Sequence, residues 1–451
     1  MDTRNQPPRI LIVGGGYIGM YTARRLNRRL GRHEARVTLV DPQSYMTYQP
    51  FLPEAGAGSI QPRHVVVPLR RVLPDTDVVT GHVSAIDHAR RRARVELLDG
   101  EGYDVPYDIL VVAVGAVPRT LPVPGLAECG IGFQEIEEAI SLRNHVIAQL
   151  DIAESTRDER LRRRALAFVF VGGGYAGVEA IAELEDMARA ALRDYRNVRH
   201  EDMRWILVEA TERILPEVGP DMARYALDEL RGRGIDVKLS TRLDSALGGH
   251  VKLSDGTALD ASTLVWTAGV RPAPMLADTD LPLDSKGRVK ATASLRVEDV
   301  EDAWTAGDCA AVPDLTKDEP GALCGPSAQH AMRQARRLAD NLVAVLRGQP
   351  VREYRHRYAG SVASLGLHKG VAQVYGLKVR GWPAWFLHRT YHLTRLPTFD
   401  RKIATVADWT LQLFFRREIV SLGSFEHPRA GFEAAARQQE RLAERAADSS
   451  S

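Results

Sequence analysis

Two nearly identical glycine-rich hexapeptides, GGGYIG at 14–19 and GGGYAG at 172–177, constrain this chain more than any other feature. Each stands behind a short apolar run, RILIV or ALAFVFV, and ahead of a helical pattern, MYTARRLNRRL or VEAIAELEDMARAAL. The order is strand, tight turn, helix in both places. Glycine at Gly14 and Gly172 permits the turn, at Gly16 and Gly174 it lets backbone approach a diphosphate, and at Gly19 and Gly177 it lets helix pack on strand. The helix start then offers free N–H groups and a positive dipole end to that diphosphate. One copy alone is compatible with an ordinary strand-to-helix connection; two copies in the same context point to two bound dinucleotides.

A second strand in each unit should end in an acid that takes the ribose hydroxyls. ARVTLVD supplies Asp41, 22 residues beyond Gly19, and RWILVEA supplies Glu209, 32 beyond Gly177. The longer spacing contains the charged stretch RDYRNVRHED, read as a helix extension and surface loop. An acid there repels a 2′-phosphate, so Glu209 favours NADH over NADPH, with Arg213 nearby as the opposing feature. A strand-end acid in a turn is the plain alternative for both. Two dinucleotides on one polypeptide suit hydride transfer between a nicotinamide and a flavin, and the simplest pairing is FAD with NADH.

With these turns quoted, the sequence resembles the two-dinucleotide-binding-domain flavoproteins, and within them the type II NADH:quinone oxidoreductases, over roughly residues 8 to 425. The resemblance implies an α/β fold of two Rossmann-like dinucleotide-binding domains plus a C-terminal amphipathic, membrane-docking region. It puts FAD in the first unit and brings AWTAGDCAAV back to it, with Asp308 on the ribityl chain. VVAVGAVPR, with Gly115, and VWTAGVRP, with Gly269, close each domain against its cofactor, and YQPFLPEAGAG lies beside the isoalloxazine ring. The implied division is an FAD domain at 1–125 and 285–348, a helical connection at 126–164, an NADH domain at 165–284, a C-terminal region at 349–428 and a polar tail at 429–451.

The resemblance also supplies candidate catalytic residues. Glu179, in the first turn of the second helix, corresponds to a family glutamate near flavin and nicotinamide; a helix-start acid favoured by the dipole is the plain reading. The family motif AQxAxQ is matched at Ala328, Gln329 and Ala331, but its second glutamine is Arg333, and Gln334 falls about 100° further round the helix. Lys369 stands where the family often has a basic residue near the same site, or is an exposed loop lysine.

Residues 351–420 carry twelve Lys or Arg against four Asp or Glu, whereas the whole chain has 60 against 58. WPAWFLHRTYHLTRL sets Trp382, Trp385, Phe386, Leu393 and Leu396 at helical spacing among basic residues, and KIATVADWTLQLFFRR sets Ile403, Val406, Trp409, Leu413 and Phe414 likewise. Helices of this kind lie in a membrane interface, while a dimer interface or core packing uses the same spacing. No apolar stretch reaches the ~18 to 20 residues of a spanning helix, and no secretory pattern precedes the first strand.

The expected setting is therefore the cytoplasmic face of the cell membrane. The expected partners are the membrane surface, a quinone (menaquinone or ubiquinone) and a second copy of the chain. The balanced net charge gives no reason to expect nucleic acid, and the three cysteines, Cys129, Cys309 and Cys324, form no metal or CxxC pattern. Other acceptors stay open: a soluble one, suggested by Arg333, or a sulfide:quinone reaction using Cys129 and Cys324. A redox-responsive membrane-binding flavoprotein is the reading outside enzymology.

Overall fold

The computed structural model describes residues 6–31, 33–356 and 360–421. The first apolar run forms the strand Arg9–Val13, buried at its last four residues, and the helix α1 (Tyr17–Arg29) follows directly behind the glycine turn. The strand lies in a seven-stranded sheet ordered 303–305, 109–112, 9–13, 36–41, 77–87, 92–97, 102–106. Its first five strands are parallel, as crossover connections require, and the last three form an antiparallel meander. The short helix α2 (Leu52–Gly56) comes from the flavin-side segment and is wholly buried.

The helix α3 (Ile136–Ser155) matches the predicted connecting helix and carries a capping box at Glu135 and Glu138. The basic run after it is helical too. Asp158 accepts from the backbone N–H groups of Arg160 and Leu161 and starts a short helix, Glu159–Ala165. Capping at one end and arginines at the other suit the helix dipole.

The second apolar run, Ala167–Val171, is buried at every residue and centres a five-stranded parallel sheet ordered 130–131, 263–266, 167–171, 204–208, 236–238. The helix α4 (Tyr175–Ala191) follows its glycine turn, and α5 (Pro220–Gly232) covers the sheet further on. The two sheets are stitched together where Ala116–Pro118 pairs antiparallel with Val270–Pro272, directly behind Gly115 and Gly269. Both glycines have positive φ, +66° and +94°, which an L side chain resists.

The long helix α6 (Ala328–Leu346) packs on α1, where Asp340 bridges Arg25 at 2.8 Å and Arg29 at 2.7 Å. A three-stranded antiparallel sheet, 360–364, 370–374 and 377–380, then leads to α7 (Trp382–Arg395) and α8 (Phe399–Phe414). The polar tail lies outside the described residues.

Candidate active site

Both glycine turns have the shape a diphosphate requires. Gly14 and Gly172 have φ of +104° and +118°, and a Cβ at Gly14 would stand 2.3 Å from the Ala113 carbonyl oxygen. A Cβ at Gly19 or Gly177 would meet the carbonyl oxygen of Gly14 or Gly172 at 1.8 or 1.9 Å, so helix and turn touch. At Gly16 and Gly174 a Cβ would meet nothing within 4 Å, which leaves the backbone open on the side where a ligand approaches.

The acids close each unit in the same way. Asp41 accepts from Gly15 N–H at 2.5 Å and Gln43 N–H at 2.7 Å; Glu209 accepts from Gly173 N–H at 2.6 Å and Thr211 N–H at 2.7 Å. The second glycine of each GGG is thereby explained: a Cβ at Gly173 would lie 2.9 Å from Glu209 Oε2. Arg213 turns to its own loop, donating to the Pro216 carbonyl at 2.7 Å. Asp308 is partly buried, its carboxyl raised by that burial, and no described donor bonds it, which leaves it available to a ribityl hydroxyl. The turn beneath it is held by Gln334, whose Oε1 accepts from Gly307 N–H at 2.8 Å. Gln334 is 2% exposed.

Beside the second nucleotide turn begins a buried set of charged and polar groups drawn from five parts of the chain. Glu179 Oε1 accepts from Ser364 N–H at 2.8 Å and stands 3.2 Å from His388 Nε2 on α7. Ser364 Oγ donates to Glu183 Oε1 at 2.9 Å, one helical turn further along α4. On α2, Glu54 Oε2 lies 2.9 Å from Arg389 Nη2 and accepts from Trp409 Nε1 at 2.8 Å. The Arg389 guanidinium sits 4.2 Å from the Trp385 ring centre and 4.8 Å from that of Trp409.

Burial, then the charge of Glu54, pushes the Glu183 carboxyl up to about 7, and its Oε2 has no described partner. Burial pulls His388 down, but the Glu179 hydrogen bond and the Glu179, Glu54 and Glu183 carboxylates more than offset it, so its affinity for a proton is raised. His392, one turn on, is driven well below the usual imidazole range by burial and then by the charge of His388. Glu179 with His388 and Glu183 with the Ser364 hydroxyl thus form two pairs able to hold or exchange a proton, joined through the Ser364 backbone.

The proton held by Glu183 has a measurable consequence. Its folded pKa exceeds the ordinary 4.5, so the native state binds that proton more tightly than the unfolded chain. The resulting stability is complete below about pH 4.5 and is lost as pH rises through about 7. Glu183→Gln is expected to remove on the order of 3 kcal/mol of this pH dependence, read as the change in denaturation midpoint between about pH 5 and pH 8 in wild type against variant. Equal slopes in the two proteins would refute a protonated Glu183.

The remaining sequence candidates are placed as follows. Gln329 Nε2 donates to the Gly360 carbonyl at 3.1 Å and its Oε1 faces His356 Nε2 at 3.1 Å; Arg333 donates to the Gln329 carbonyl at 3.0 Å. Ala328 opens α6 behind the N-cap Ser327. Lys369 is not brought to this set: it pairs with Glu229 on α5. Cys309 and Cys324 are buried, and all three thiols are free.

The family described as pyridine nucleotide-disulphide oxidoreductase matches residues 8–335. The type II NADH:quinone oxidoreductase Ndh of Mycobacterium tuberculosis is 30% identical to the chain over 91% of its length and 90% of that protein. The chain belongs to the type II NADH:quinone oxidoreductases. The Staphylococcus saprophyticus member is 29% identical over 84% of this chain and 93% of its own. The solved structure of NDH2 from Plasmodium falciparum in complex with NADH superposes with a TM-score of 0.84 over 92% of this chain and all of that one, at 16% identity. That likeness shows the fold with its two nucleotide-binding units.

Proposed function

We propose that the chain transfers two electrons from NADH through FAD to a quinone while seated on a membrane surface. Bound FAD supplies the hydride acceptor and electron donor of this chemistry. The observation that carries the reading is the pair of open glycine turns, the second of which runs directly into the helix bearing the buried Glu179. Residues 1–125 with 285–348 hold FAD and 165–284 hold NADH, with Asp41 and Glu209 on the riboses.

Glu179, backed by His388, Ser364 and Glu183, delivers protons to the reduced quinone. On α6, Arg333 presents its guanidinium to a quinone carbonyl in place of the motif's second glutamine, while Gln329, four residues earlier, is held by Gly360 and His356 and supports it. The decisive test mixes flavin-loaded protein anaerobically with NADH and then with menaquinone or ubiquinone analogues, following flavin absorbance. Failure of quinone to restore the oxidised spectrum would refute the reading. In the same assay Glu209→Ala is expected to weaken NADH at least tenfold while NADPH changes little, because only the unphosphorylated ribose uses that carboxylate.

The membrane face follows exposure rather than periodicity alone. Trp385, Leu396 and Trp409, assigned to apolar faces from their spacing, point inward: Trp385 and Leu396 are buried and Trp409 bonds Glu54. Other members of those faces are exposed, Ile403, Val406, Leu413 (76%) and Phe414 (77%) on α8 and Trp382 and Phe386 on α7, and Phe399 (77%) joins the α8 row. Among the described residues no helix is long and apolar enough to cross a bilayer, so these rows suit an in-plane position at the cytoplasmic face. Phe399→Ser, Leu413→Ser and Phe414→Ser together are expected to cut vesicle co-flotation by about 100-fold while flavin reduction by NADH persists. A second copy of the chain is the further partner proposed.

A further inference from the structure

On the side of α1 away from the nucleotide turn, a cavity of about 410 Å³ opens beside the first residue of α8. Arg24, Asn27 and Arg28 of α1, Arg71 and Phe399 line it, with Asp75 as the one carboxylate on its wall. Arg71 is paired with Asp400 at 3.1 Å. Arg24 and Arg28 form no ion pair or hydrogen bond among the described residues. Burial, then the like charge of Arg28, lowers the proton affinity of Arg24. Two uncompensated guanidinium groups crowded at a concave surface are a site for an anion.

A second observation comes from Asn27. Its amide is held by Thr76 Oγ1 at 2.9 Å, and its other polar atom is buried without a hydrogen-bond partner. A buried polar atom left without a partner costs about 1–3 kcal/mol. The cavity thus offers a pair of planar cations beside one amide side chain, a set suited to phosphate oxygens.

The position of the cavity decides which phosphate. Phe399 is both part of the wall and the first member of the exposed row Phe399, Ile403, Val406, Leu413 and Phe414. A molecule with its phosphate between Arg24 and Arg28 would have its apolar part beside that row. The space also exceeds what a bare phosphate needs. We propose that this cavity binds the headgroup phosphate of an anionic phospholipid, holding α8 in register with the bilayer.

This inference rests on the proposed membrane seating of α8, and the test separates the two. Full-length, flavin-loaded protein in nonionic detergent is titrated with short-chain phosphatidylglycerol below its micelle concentration, and in parallel with short-chain phosphatidylcholine and inorganic phosphate. Saturable one-site binding of phosphatidylglycerol is expected, at least tenfold tighter than either of the others. Arg24→Gln with Arg28→Gln, and separately Asn27→Asp, are each expected to weaken it at least tenfold with flavin content and melting temperature unchanged. Phosphatidylglycerol and phosphatidylcholine binding alike, or Asn27→Asp binding as wild type does, would overturn the site. Inorganic phosphate binding as tightly as the lipid would overturn the lipid as its source. Vesicle flotation of wild type is read separately: its absence sinks the membrane seating and leaves the titration of the soluble lipid to judge the cavity.

Discussion

Glu179→Gln is expected to leave flavin reduction by NADH within about threefold of wild type and to slow reoxidation by quinone about 100-fold. The amide oxygen preserves the bond from Ser364 N–H, so the geometry of α4 against the 360–364 strand survives. What is lost is the negative charge that lifts His388 and the group that exchanges a proton with it. In the proposed relay Glu179 passes protons to the reduced quinone, which a neutral amide cannot do. Rapid-mixing measurement of the two half-reactions separates this from a binding effect: equal slowing of both would assign Glu179 to nicotinamide placement, and no slowing would remove it from the mechanism.

The second large effect concerns folding. Glu54 is 1% exposed and holds both Arg389 and Trp409, so Glu54→Ala leaves a guanidinium buried without its counter-charge. A loss of about 3–5 kcal/mol is expected, read as a fall in denaturation midpoint. Replacing both partners, Glu54→Leu with Arg389→Met, should recover most of it, because the apolar pair carries no uncompensated charge. A single variant that melts within ~1 kcal/mol of wild type would show that water reaches the pair.

Which parts of this site were legible in the sequence follows from how far apart its members lie. The glycine turns, Asp41 and Glu209 belong to short contiguous units whose chemistry is local, and each stands where its spacing puts it. Ser364 meets Glu183 across 181 residues and Trp409 meets Glu54 across 355, separations that no periodicity encodes. One signal was present: Glu183 follows Glu179 by four residues in a helix whose neighbours Val178, Ala180, Ile181, Ala182 and Leu184 are all buried, and acids in such company need partners. Trp385 and Trp409 illustrate the converse, since spacing defines a helical face without saying whether protein or lipid covers it. Lys369 was placed by resemblance alone, and its partner is Glu229.

The inward side of the last two helices has a practical corollary for anyone wishing to handle this enzyme without detergent. Trimming the chain ahead of Trp382 would remove the greasy surface, but it would also strip His388, Arg389 and Trp409 from beside Glu54 and Glu179 and open those buried carboxylates to water. The shortened product would be easier to dissolve and poorer in turnover. Repainting only the outward phenylalanines and leucines keeps the roof in place.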